Sequence, residues 1–125
     1  MEKRCINLAG MLKAGPYSQA VEAGGFVFIS GVVPVDARKG LCVTDDIHAA
    51  TNLVFENIKR VLAAAGTSLD KVVKVTVFLR DMADFTAMNE IYQTYFPQNE
   101  PARSCVAVRE LPGNFPVEIE LVALK

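Results

Sequence analysis

The chain has 125 residues, 51% of them apolar and 22% charged, with a net charge of −1. That length and balance describe one domain over residues 1–125 with a single buried core, and they exclude a disordered chain. The near-zero charge argues against nucleic acid or an anionic membrane surface as partner, and no apolar run approaches the ~20 residues that span a bilayer.

The start, Met1-Glu2-Lys3-Arg4, leads into Cys5-Ile6-Asn7-Leu8 without the long apolar stretch of a secretory leader. Cys5, Cys42 and Cys105 are odd in number and widely spread, the pattern of reduced thiols in a cytoplasmic protein. A β-hairpin follows. Ser18 to Glu22 is one arm, Ala23-Gly24-Gly25 the turn and Phe26 to Ile29 the other arm. Val32 to Val35 extends that arm, and Pro34 marks an edge or bulge in it. Asp36 to Gly40 reads as a loop.

A helix is predicted next, with Thr44, Asp45 and Asp46 offering N-cap chemistry and Gly66 the stop. Ile47, Ala50, Val54, Ile58, Val61 and Ala65 recur at steps of three or four and form its apolar face. Val72 to Leu79 reads as a strand with Val73, Val75, Val77 and Leu79 on one face. A second helix runs from Asp84 to before Pro97, with Phe85, Met88, Tyr92 and Tyr95 as its stripe. Ala102–Val108 and Val117–Leu124 close the chain as strands, and Arg109–Phe115 reads as a hairpin segment between them. The expected architecture is α+β, a mixed sheet with two helices packed on one face. The other face is left half-apolar and open, which predicts an oligomer.

Several chemistries find little support. His48 is the only histidine and falls in the first helical turn, where a solvated or structural role fits better than catalysis. With no Cys-x-x-Cys pair, a structural metal site is not expected. Gly24-Gly25 belongs to a turn rather than a phosphate loop, and the aromatics do not interleave with a basic cluster.

Two residues carry the chemistry that remains. Arg103 stands in Pro101-Ala102-Arg103-Ser104-Cys105, and its planar fork is shaped to hold a carboxylate by two parallel hydrogen bonds. Glu118 stands in Val117-Glu118-Ile119-Glu120, and a carboxylate there can orient or deprotonate a water. Arg103 shares a strand face with Cys105, and Glu118 shares one with Glu120. If the apolar residues of the last strand meet the helices, both glutamates project onto the open face. Periodicity does not choose between them.

Four segments then carry a resemblance: Gly15-Pro16-Tyr17-Ser18-Gln19-Ala20, Phe28-Ile29-Ser30-Gly31, Pro101-Ala102-Arg103-Ser104-Cys105-Val106 and Pro116-Val117-Glu118-Ile119-Glu120. Together, in order and over essentially the whole chain, they resemble the RidA/YjgF family of reactive-intermediate deaminases. The resemblance implies a chorismate-mutase-like fold with a six-stranded sheet, and a homotrimer with clefts at the subunit interfaces. It implies hydrolysis of enamine and imine intermediates, such as 2-aminoacrylate/2-iminopropanoate and 2-iminobutanoate, to 2-keto acids and ammonia. Such intermediates are released by pyridoxal-phosphate-dependent dehydratases. The deaminase itself uses no cofactor and no metal.

Carried onto this chain, the resemblance makes Arg103 the carboxylate grip, Glu118 the holder of the attacking water, and Tyr17 a cleft residue near the water or the imine nitrogen. Ser30, and backbone N–H groups at Gly31 and Cys105, would complete the substrate contacts; the Cys105 thiol is not expected to act as a nucleophile. Val32 departs from the family, where a polar residue is common, and Arg109–Phe115 is distinctive in a segment that often borders the cleft. Two other functions fit the same scaffold: a small-carboxylate binding or regulatory protein without turnover, and an endoribonuclease or translation inhibitor, which the neutral charge and single histidine do not favour.

Overall fold

The computed structural model describes residues 2–125. Its main sheet is built from β1 (Arg4–Ile6), β2 (Ala20–Ala23), β3 (Phe26–Val32), β6 (Val72–Leu79), β7 (Ala102–Ala107) and β8 (Val117–Leu124), in the order β1-β2-β3-β8-β6-β7. All neighbours are antiparallel except β6 and β7, so the sheet is mixed and six-stranded. A small separate ribbon pairs β4 (Val35–Asp36) with β5 (Leu41–Cys42).

Helix α1 (Ile47–Ala64) starts where the Asp46 carboxylate accepts from the Ala49 amide at 3.1 Å, which satisfies one of the first-turn donors. It stops at Gly66, whose φ of +81° lets Thr67 N–H reach back to Leu62 O at 2.9 Å. The predicted face is buried at Ala50, Val54, Ile58, Val61 and Ala65. Phe55 and Leu62 are buried too. Phe55 stacks on Tyr95 at 4.6 Å and meets Tyr92 edge-on, both in α2 (Phe85–Tyr95), so α1 is covered by a second helix as well as by the sheet.

Alternation decides the two sheet faces. Val27, Ile29, Val75, Val77, Ile119, Leu121 and Ala123 are buried with the helices, while Phe26, Phe28, Val106 and Leu124 are exposed on the opposite face. Both helices lie on the same side, because α2 contacts Arg103, the strand partner of the buried Val75.

Four details depart from the expectation. The hairpin is preceded by β1, whose three residues are too short and too polar to show a period in sequence. Asp36 belongs to β4, so the predicted Asp36–Gly40 loop begins one residue later, at the tip of the β4–β5 ribbon. Val73 does not join Val75, Val77 and Leu79: a bulge between Val72 and Lys74 turns it outward, 37% exposed, and buries Val72 instead. Finally, Arg109–Phe115 is not a hairpin. β6 lies between β7 and β8, so the segment crosses over a strand, and it is braced by Arg80, which donates to Asn114 O at 2.7 Å and to Thr44 O at 2.9 Å.

Candidate active site

A cleft of about 520 Å³ opens beside the end of β3, and Tyr17, Ser30, Gly31, Pro112, Phe115 and Glu118 line it. Its floor is a bulge. Ile29 pairs with Leu121 and Val32 with Ile119, so β3 spends three steps where β8 spends two, and the extra backbone is Ser30-Gly31. The bulge is fastened by Ser30, whose Oγ donates to Ser18 O at 2.7 Å and whose N–H donates to Gln19 O at 3.0 Å.

Gly31 is required by Glu118. A Cβ at position 31 would overlap the Glu118 carboxylate, sitting 2.8 Å from Cδ, so only glycine leaves the acid room to lie across the strand. Glu118 is half-buried there. Its carboxyl is held above the ordinary glutamic acid value of 4.5, first by burial and then by the charge of Glu120 two residues on. Glu120 is exposed and in register with Thr76, away from the cleft. Of the two acids, Glu118 is the one in the cleft.

Tyr17 is 39% exposed at the rim, on a loop tied by Tyr17 N–H to Gly15 O and by Ala14 N–H to the Tyr17 hydroxyl at 3.3 Å. Gln19 anchors that loop from beneath. Its buried amide accepts from Leu8 N–H at 2.6 Å, and its own backbone N–H donates to the Asn7 side chain at 3.1 Å. Gln19→Ala strands the Leu8 N–H and is expected to cost about 1–3 kcal/mol. Urea unfolding measures that loss, and a midpoint equal to wild type would contradict the anchor.

Arg103 is elsewhere. Strand register puts Arg103, Val75 and Leu121 side by side on the helix face, and Val106, Phe78 and Glu118 on the open face. The two residues that sequence analysis joined are therefore on opposite sides of the sheet within one chain. On β7 it is the arginine that points to the helices, because α2 offers it Asn89 Oδ1, which accepts from Nη1 at 2.6 Å. Cys105, paired with Val77, shares that face; its thiol is pushed up by burial, with Arg103 opposing, which keeps it protonated and a weak nucleophile. His48 takes no part: its Nε2 meets Glu90 Oε1 at 2.9 Å on the outer surface of the helices.

The geometry thus offers two half-sites. One has an acid, a phenol and a bulged backbone around a cleft; the other has a cation held at the sheet edge. Sequence reasoning missed Gln19 and Asn89 as supports. The only trace of Asn89 is its spacing of four from Phe85 and three from Tyr92 on one helix face.

Comparison with known proteins adds the family. The model described as endoribonuclease L-PSP matches residues 9–125. A RutC family protein of Pyrococcus horikoshii is 52% identical over 89% of this chain and 88% of its own. The 2-iminobutanoate/2-iminopropanoate deaminase of Salmonella typhimurium is 40% identical over 89% and 88%. Among solved structures, Escherichia coli TdcF with bound serine superposes with a TM-score of 0.90 at 37% identity, covering 98% of each chain.

Proposed function

The chain belongs to the RidA/YjgF (endoribonuclease L-PSP) family, and from that premise we propose that it hydrolyses imino-acid intermediates. The observation that carries this reading is the Glu118 carboxyl, half-buried in the cleft with its affinity for protons raised, beside Tyr17 and the Ser30-Gly31 bulge. A carboxylate whose affinity for protons is raised is suited to take a proton from water and return it later.

The working site needs Arg103, and one chain keeps it on the far side of the sheet. A second copy that seats its β7 edge at the mouth of the cleft brings an Arg103 to the Glu118 of its neighbour. The exposed Phe26, Phe28, Val106 and Leu124 give such copies an apolar face to bury. The assembly proposed is the homotrimer of the chorismate-mutase-like scaffold, with a site at each subunit interface.

In the mechanism, Arg103 holds the substrate carboxylate by its fork. Any enamine reaches the site as its imine tautomer. Glu118 accepts a proton from water as the water oxygen bonds to the imine carbon. Glu118 passes that proton to the nitrogen to give the carbinolamine. The carbinolamine hydroxyl then yields its proton, by way of Glu118, to the nitrogen as the C–N bond breaks, and ammonia leaves the 2-keto acid. Tyr17 orders the water or the nitrogen, and Ser30 with the N–H groups at Gly31 and Cys105 steadies the substrate. The imine is already electrophilic, so placement and one base suffice without a cofactor. Substrate would come from pyridoxal-phosphate-dependent dehydratases, and the three unpaired cysteines favour a cytoplasmic setting.

Binding without turnover is the rival that Arg103 alone would support; the serine bound in TdcF is itself a small carboxylate. The nuclease activity in the family's descriptive name finds no histidine in this cleft, since His48 is the chain's only one. A coupled assay separates these readings. With a threonine dehydratase and a nucleophile that traps free imine, the protein is expected to speed 2-ketobutyrate release above the spontaneous rate; binding with no acceleration would contradict the deaminase.

Gly31→Ala tests the cleft floor. The added methyl meets the movable end of Glu118, so the variant is expected to fold near wild-type stability yet lose turnover by about tenfold or more as the acid is displaced. Unchanged kcat/KM would show that the position of Glu118 over Gly31 is irrelevant.

A further inference from the structure

We propose that α2 carries a positioning device for Arg103, in which Asn89 and the rings of Phe85 and Tyr92 hold the guanidinium in place without an ion-pair partner and leave its carboxylate-binding edge free. The inference rests on the reading of Arg103 as the carboxylate grip and explains how that grip is kept ready. Phe85, Asn89 and Tyr92 follow one another at steps of four and three, so they form a single stripe on α2. Asn89 Oδ1 accepts from Arg103 Nη1 at 2.6 Å. The guanidinium carbon stands 4.7 Å from the Tyr92 ring centroid and 5.6 Å from that of Phe85.

These three partners share one property: none carries a charge. A ring face and an amide oxygen both attract a cation without neutralising it. Among the described residues Arg103 makes no ion pair, although Glu100 lines the same recess. The Asn89 contact takes a single N–H of Nη1, so Nε and Nη2 keep their two parallel donors for an incoming carboxylate. Tyr92 presents its ring to the cation, while its hydroxyl is buried with no partner among the described residues.

The decisive pair of variants is Asn89→Asp and Asn89→Ala. Asp has the shape of Asn and still accepts from Nη1, so a merely structural residue 89 would tolerate it. A device that must leave the charge free would not, because the new carboxylate pairs with Arg103 and competes with the ligand. Binding of 2-ketobutyrate is measured by calorimetry, alongside KM and kcat and a thermal melt. Asn89→Ala is expected to weaken binding and raise KM by about tenfold, the worth of one charge-assisted hydrogen bond, with a smaller change in kcat. Asn89→Asp is expected to bind more weakly than Asn89→Ala while melting no lower. Phe85→Leu, which keeps apolar bulk and removes the ring face, is expected to weaken binding several-fold by the same measure.

Wild-type affinity in Asn89→Asp, with binding lost in Arg103→Ala, would overturn the positioning device and leave the grip standing. Wild-type affinity in Arg103→Ala would overturn the grip itself.

Discussion

Arg103→Ala is expected to abolish imine hydrolysis while the protein remains folded. The side chain stands at an edge strand, outside the apolar core, and gives up one hydrogen bond and two ring contacts when truncated. Those losses are small beside the substrate term. Removing one partner of a hydrogen-bonded charge pair costs about 2–5 kcal/mol, or roughly 30- to several-thousand-fold in kcat/KM. Steady-state kinetics with 2-iminobutanoate, together with circular dichroism of the same sample, measure both parts. Turnover near wild type would rule out the carboxylate grip.

Glu118→Gln should have two opposite effects. Activity is expected to fall by about 10²–10⁴-fold, because the amide cannot take a proton from water. Stability is expected to rise at neutral pH. The folded protein holds the Glu118 carboxyl above its ordinary 4.5, so the folded state binds more protons than the unfolded one between that value and the raised one. Stability then falls as pH rises through that window, and the deficit persists above it. Glutamine has no such deficit. Melting wild type and Glu118→Gln side by side should show the variant more stable at pH 7 and the difference closing below pH 4.5, where the wild-type Glu118 carboxyl is neutral in the folded and the unfolded chain alike. A variant that melts lower at pH 7 would contradict the strained acid. The same shift moves the acid limb of the wild-type pH–rate profile upward from the ordinary glutamic acid value.

Much of the fold could be read from periodicity. The α1 face from Ile47 to Ala65 and the alternation of Val117 to Ala123 are enforced by burial on one side, and burial is what hydrophobic spacing records. The local failures have two separate causes. Val73 was misplaced because a one-residue bulge reverses alternation without leaving a glycine or proline to announce it. The apparent hairpin at Arg109–Phe115 failed because adjacency in sequence does not reveal that β6 lies between the two strands.

Of the site residues named from the sequence, four meet in one cleft, but their arrangement relative to Arg103 was not legible. Tyr17, Ser30, Gly31 and Glu118 do share a cleft, and the choice between Glu118 and Glu120 follows from which one lies over a glycine. Arg103 does not join them within the chain. Sequence alternation tells which residues share a strand face but not which way that face turns, and β7 faces its polar pair toward the helices. Asn89 and Gln19 act through hydrogen bonds to segments distant in sequence, which no local pattern encodes.

The central claim is that a working site joins Arg103 of one copy to Glu118 of another, and mixing two inactive variants tests it most directly. Arg103→Ala and Glu118→Gln protein, unfolded together in equal amounts and refolded, form mixed oligomers. If the site spans two copies, about a quarter of the interfaces unite an intact Arg103 with an intact Glu118, and deaminase activity returns to about that fraction of wild type. Activity no higher than that of either variant alone would mean that the two residues do not work together across an interface.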